Sequence, residues 1–293
     1  MPKIKFSLLS IIGGLTLLSS SAYAGVDAEV SYILNTLLFL IGGFLVMWMA
    51  AGFAMLESGL VTSKSVATIA AKNIGLYSIA GLMFWLVGYN LAYGIPEGGF
   101  IGSFLPWSDA SAVDTGYSDG SDWFFQMVFC ATTCSIVSGT LAERIKTWPF
   151  FLFCAIVAGI IYPIEMGWQW GGGHLAAAEF SDFAGSTLVH SAGAAAALAG
   201  AILLGPRLGR FTDSGEAAPM APFASSSIPL ATLGVFILWM GWFGFNGGSQ
   251  LAMGSFDDST AVATIFINTN LAACAGVMAC AVVSRLVTGK TDV

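Results

Sequence analysis

The sequence is short of charge, and what it lacks excludes most function classes. Asp, Glu, Lys and Arg together make up 9% of 293 residues, whereas soluble domains carry about 25%. A chain so poor in charge cannot cover a globular surface with polar groups, which excludes an ordinary water-soluble enzyme and makes lipid its solvent. Basic residues are scarcer than acidic ones, 10 against 17, and no basic patch suggests a nucleic-acid partner. The five cysteines (Cys130, Cys134, Cys154, Cys274, Cys280) lie inside apolar segments, and none is spaced with histidine as a zinc site requires. Cys130 and Cys134 share a helix face as small packing residues. The last apolar segment has no lysine at its centre for a retinal Schiff base. NGGS at 246–249 is not the G-x-S-x-G of a nucleophile elbow. The reading is a non-enzyme with no metal, no cofactor and no nucleic-acid partner.

What is present is apolar: 56% of residues are hydrophobic. Seven segments are long enough to cross about 30 Å of hydrocarbon as helices: 31–56, 73–93, 123–141, 148–164, 186–204, 228–253 and 261–284. Residues 1–24 read as a cleaved signal peptide. Lys3 and Lys5 precede an apolar run over 6–18, and Ala22-Tyr23-Ala24 forms a small-x-small site. The remaining chain, 25–293, is one membrane domain. Its eight Lys and Arg follow spans one (Lys64, Lys72), three (Arg144, Lys146), five (Arg207, Arg210) and seven (Arg285, Lys290). The alternate connections carry only acids: Glu97, Asp109, Asp114, Asp119, Asp122, then Glu165, Glu179, Asp182, then Asp257, Asp258. The positive-inside rule places the N-terminus outside and the C-terminus in the cytoplasm. Thirty-six glycines suit helices whose backbones touch.

Span two aligns with span seven without gaps, Asn73 to Met83 over Asn268 to Met278, and Trp48-Met49 aligns with Trp239-Met240. A five-helix unit has odd length, so its second copy is inverted, as in many transporters. Seven spans leave that copy incomplete, so the sequence reads as a fragment or a truncated reading frame.

Segment 186–204 holds one ionisable residue, His190. An imidazole in a membrane-length helix is costly unless it faces a protein-lined cavity, which marks a transport path. Asp182 stands eight residues earlier, about 12 Å along a continuous helix. That is too far to orient His190 directly, and the expected role of Asp182 is a cap on span five. Glu57, Glu143 and Arg144 read as pairing or helix-end residues near the cytoplasmic interface, and His174 receives no role.

Several stretches in order, AGFAMLESG (51–59), GTLAERI (139–145), WGGG (170–173), DFAG (182–185) through GPR (205–207) and GWFGFNGGS (241–249), resemble the ammonium transporter (Amt/Rh) family, bacterial branch. The resemblance implies an all-α polytopic fold of inverted five-helix repeats in the bacterial inner membrane. It also implies a homotrimer with one pore per subunit, and a PII-type signal protein as a cytoplasmic partner. Position by position it makes Trp170, Phe129, Ser249 and Phe125 the vestibule and Phe129 and Phe245 the aromatic gate. His190 becomes the first pore histidine and Asp182 the acid that shapes the pore entrance. Ammonium, with methylammonium as analogue, is captured outside and deprotonated, and ammonia and a proton pass inward. The family's second pore histidine lies beyond residue 293. An ammonium receptor of the same fold, or a non-conducting fragment, is the alternative.

The residue types suit that chemistry. A small cation exchanges water for the faces of Trp170 and Phe129, worth ~0.5–2 kcal/mol per ring, and Ser249 accepts one N–H bond. Potassium neither donates hydrogen bonds nor loses a proton, so a dry pore with a histidine acceptor rejects it on chemistry rather than radius.

Overall fold

The computed structural model describes residues 26–212, 214–219 and 223–291; the segment 1–24, expected to be a signal peptide, lies outside the described residues. Seven helices are long and apolar enough to span a membrane. They are α1 (Ala28–Leu60), α2 (Ser63–Tyr93), α3 (Asp119–Leu141), α4 (Thr147–Gly167), α5 (Ser186–Leu204), α6 (Ile228–Gly248) and α7 (Phe256–Thr288). Because they alternate in direction, Lys64, Arg144, Lys146, Arg207, Arg210, Arg285 and Lys290 gather at one end, the basic end, and the long acidic connections at the other. The segments aligned as a repeat fall in α2 and α7, which run in opposite directions, as do α1 and α6.

Polar residues cap three helix starts, and α1 and α7 among them begin earlier than apolarity alone suggests. Asp27 accepts the Glu29 N–H at 3.2 Å, Ser227 Oγ accepts that of Leu230 at 3.3 Å, and Ser255 Oγ that of Asp258 at 3.0 Å. Asp119 and Asp122, expected in a connection, lie in the first turn of α3, whose start has no side-chain cap. Asp257 and Asp258 likewise open α7. The expectation that span six runs to residue 253 is corrected: α6 stops at Gly248, and Leu251 turns the chain with a φ of 60°.

The first basic connection is also shorter than expected. Lys72 sits inside α2 because its charge is paired: its Nζ lies 3.4 Å from Glu57 of α1, both side chains 4% exposed. Ser138 of α3 ties the pair in. Its hydroxyl donates to Glu57 at 2.8 Å, and its carbonyl accepts from Lys72 at 2.8 Å. Nearer the basic end, Arg207 pairs with Glu143 at 2.9 Å and Arg144 donates to the Gly205 carbonyl at 3.1 Å.

Glycine sets the closest helix contact, α1 against α6. A Cβ at Gly59 would stand 2.5 Å from the Ala231 backbone nitrogen, one at Gly234 2.4 Å from that of Leu56, and one at Gly244 2.5 Å from the Gly42 carbonyl. These backbones touch, as small residues permit in lipid. α3 forms the centre, packing on α1, α2 and α5. Its Thr132, Thr133 and Ser135 hydroxyls donate to carbonyls one turn back and so are satisfied while buried.

Candidate functional site

The entry to α5 is a tightly constrained piece of backbone. Residues 182–185 are not helical. Gly185 adopts a φ of 92°, which favours glycine, and a Cβ there would also stand 2.6 Å from Val189 and 3.2 Å from the Trp170 ring. After it the chain makes a π turn, Ser186–Ser191. Asp182 holds this entry. Its Oδ1 accepts the N–H groups of Gly185 at 2.8 Å and Ser186 at 3.1 Å; its Oδ2 accepts those of Thr187 at 2.7 Å and Leu188 at 2.9 Å.

The same loop positions His190. The Gly185 carbonyl lies 3.0 Å from His190 Nδ1. A carbonyl can only accept, so this bond places the proton on Nδ1 and leaves Nε2 as an acceptor. The expectation that Asp182 is too remote to orient the histidine assumed a continuous helix and is corrected. Gly185 donates its N–H to Asp182 and accepts from His190, so one residue links the two side chains.

Three rings run in series to His190. Trp170 meets Phe129 edge-on at 5.9 Å between centroids, Phe129 lies against Phe245 at 3.9 Å and 32°, and Phe245 meets the imidazole at 5.4 Å. Phe129 and Phe245 are 1% and 0% exposed, so no open channel passes between them. Trp242 lies 5.1 Å from His190 on another side. Trp170 is fixed by its indole N–H, which donates to the Asp182 carbonyl at 2.8 Å.

At the acidic end these rings border a cavity of about 230 Å³. Phe125, Phe129, Trp170 and Ser249 line it, together with Tyr89, Tyr93, Tyr117, Asp122, Gln126, Phe183 and Leu251. Ser249 follows the last turn of α6, and its hydroxyl donates to the Phe245 carbonyl at 2.8 Å, which leaves its lone pairs free to accept. Asp182 does not line the cavity; its neighbour Phe183 does. The structure thus brings Trp170, Phe129, Phe125, Phe245, Ser249 and His190 into one continuous arrangement and sets Asp182 behind it as its anchor.

Sequence reasoning missed the three tyrosines, Asp122, Gln126 and Trp242. A signal for part of this was present: Asp122, Phe125, Gln126 and Phe129 recur at i, i+3, i+4 and i+7, one face of α3. Burial pushes the Tyr117 phenol up, and Asp122 and Asp119 add to the shift, so it stays neutral. Among the described residues, no group of three or more His, Cys, Asp or Glu is placed to hold a metal ion.

Comparison with known proteins identifies the family. The Ammonium Transporter Family profile matches residues 37–293. The ammonium transporter Amt2 of Archaeoglobus fulgidus is 42% identical over 269 residues, covering 87% of this chain and 54% of that protein. An ammonium transporter of Aquifex aeolicus is 34% identical over 285 residues, covering 95% of this chain and 63% of its own length. The solved structure named Sensor Amt Protein superposes with a TM-score of 0.82 at 33% identity, over 91% of this chain and 65% of that one. The chain therefore spans about 43% to 65% of the length of the relatives it matches. It belongs to the Ammonium Transporter Family.

Proposed function

We propose that the chain carries the capture site, gate and first pore histidine of a protein that moves ammonium across a membrane. The observation that carries this reading is the series Trp170, Phe129, Phe245, His190, which starts at the cavity and ends at an imidazole with a free acceptor nitrogen. An ammonium ion enters the cavity, donates one N–H to Ser249 and gives up water against the aromatic faces, each worth ~0.5–2 kcal/mol. Phe129 and Phe245 block a hydrated ion. Beyond them the imidazole Nε2 accepts a hydrogen bond or the proton, which favours ammonia plus a separate proton over an intact desolvated cation. Potassium has neither route.

The acidic end faces outside and the basic end the cytoplasm, as the distribution of Lys and Arg supports. We place the chain in a bacterial inner membrane, with residues 1–24 as a cleaved leader. By family resemblance we assign a homotrimer and a PII-type protein on the cytoplasmic face. A receptor that binds ammonium without conducting it is the second reading, favoured by the likeness to Sensor Amt Protein.

The test is labelled methylammonium uptake by cells that lack ammonium transporters. They express this chain extended past residue 293 with the later part of the Archaeoglobus relative. Saturable uptake, competed by ammonium, is expected. Ammonium binding without any uptake supports the receptor; neither binding nor uptake overturns the proposal.

A further inference from the structure

Two carboxylates lie at the acidic end of the path, and they differ in what they have left to give. An ionised carboxylate offers about four lone-pair sites. Asp182 has filled all four with backbone N–H groups. Asp122 has not. It accepts the Tyr89 hydroxyl at 2.6 Å and the Gln126 side-chain N–H at 3.3 Å. Among the described residues it has no ion pair, since the two salt bridges present involve Glu57 and Glu143. Asp122 is 6% exposed and lines the 230 Å³ cavity. A carboxylate withdrawn this far from water, without a countercharge, is costly.

A second observation points the same way. Gln126 is 7% exposed and lines the same cavity. Its Nε2 is committed to Asp122, which fixes the orientation of the amide, and its Oε1 is buried without a partner. Buried acceptors are rarely left so. Ser249 also keeps its lone pairs free, because its own proton goes to the Phe245 carbonyl. The residues that line the cavity therefore keep unused acceptor lone pairs at Asp122, Gln126 and Ser249, and no cationic side chain lines it among the described residues.

We propose that Asp122 and Gln126 Oε1 form an oxygen-lined subsite for a small monovalent cation, in the same cavity as Trp170, Phe129 and Ser249 but distinct from the rings. It rests on the proposed function for its role: it concentrates ammonium at the mouth before the aromatic step. Oxygen ligands take any compact monovalent cation, potassium included, whereas passage between Phe129 and Phe245 to His190 requires hydrogen-bond donation and loss of a proton. Capture and selection are thus separate. Potassium competes for the mouth without being conducted.

The experiment is calorimetric titration of the purified 293-residue protein in detergent, with a bulky organic cation holding ionic strength constant. For wild type, potassium raises the apparent ammonium Kd by about 10-fold or more, equivalent to ~1.4 kcal/mol. D122N, whose amide oxygen still accepts from Tyr89, binds ammonium about 10-fold more weakly and is indifferent to potassium. D122E keeps the charge and the potassium effect. Q126M, which retains the carboxylate, loses part of the potassium effect and serves if D122N does not fold. A rubidium titration without ammonium separates this proposal from the transport reading. Rubidium heat in wild type that vanishes in D122N supports the subsite even if ammonium binds nowhere. Wild-type ammonium binding that potassium leaves unchanged, together with no rubidium heat, overturns it. So does a D122N protein that behaves as wild type.

Discussion

α3 and α7 are both apolar helices of membrane-spanning length, and α7 is the more apolar, yet 78% of the most apolar window of α3 is buried and none of that of α7. Hydropathy does not decide which helix goes inside. α3 packs on α1, α2 and α5 and buries Asp122, Gln126, Thr132, Thr133, Ser135 and Ser138, whereas α7 packs chiefly on α6 and leaves even Asn268 and Asn270 exposed, in a chain that spans only part of its relatives' length. α7 buries Val262 and Thr269 and touches the rest chiefly through α6, where Asn246 donates to the Thr269 hydroxyl at 2.9 Å. The functional rings follow the same division. Phe125 and Phe129 stand on α3, whereas the space between α6 and α7, about 450 Å³, is walled mostly by apolar side chains such as Val235, Leu238 and Val277.

The comparison breaks most severely where the entry to α5 depends on a single carboxylate. Asp182→Ala strands four backbone N–H groups, each costing about 1–3 kcal/mol when buried without a partner. We expect a loss of about 5 kcal/mol, discounted for water reaching the exposed Ser186 and Thr187. Thermal unfolding in detergent checks this; an unchanged midpoint would show that Asp182 is not the anchor. Next is the buried pair that α3 completes. Lys72→Met leaves Glu57 charged and unpaired beside Ser138, costing about 3 kcal/mol or more, while the double variant with Glu57→Met recovers most of it. If the double variant is as unstable as the single, the pair is not a self-contained unit.

A smaller effect belongs to the mouth. Trp170→Leu removes one cation–π face, worth ~0.5–2 kcal/mol, or up to about 30-fold in ammonium affinity by titration calorimetry. A larger loss would mean that Trp170 also holds the loop through its bond to the Asp182 carbonyl. The smallest effect sharpens the contrast itself. Leu271→Ala on α7, 59% exposed, should change stability by less than about 0.5 kcal/mol. Leu141→Ala at the end of α3, 2% exposed, should cost about 2–5 kcal/mol. Equal costs would remove the distinction between the two helices.

Much of this architecture was legible in the sequence because lipid leaves few choices. Apolar length gave seven spans, and the placement of Lys and Arg gave the two ends. One-sided charge misled where charge was internal. Lys72 looked like part of a connection because an unpaired lysine would be one; its partner Glu57 lies on another helix, and no spacing rule reveals that. Asp122 was read as a loop acid for the same reason, although its recurrence with Phe125, Gln126 and Phe129 on one helical face was visible. The π turns in α2, α4 and α5 left no mark in composition. The link from Asp182 through Gly185 to His190 depends on the turn in α5, so distance counted along an ideal helix could not find it.

The central claim is that the rings and His190 select while the cavity captures. It is tested most directly by potassium and methylammonium flux through proteoliposomes carrying the extended chain, with His190→Glu compared against Trp170→Leu. A fixed carboxylate beyond the gate holds a bare cation as a neutral imidazole does not, so His190→Glu is expected to admit potassium. Trp170→Leu should lower methylammonium flux at low concentration and still exclude potassium. Potassium flux through Trp170→Leu, with none through His190→Glu, would contradict the account and place selection at the mouth.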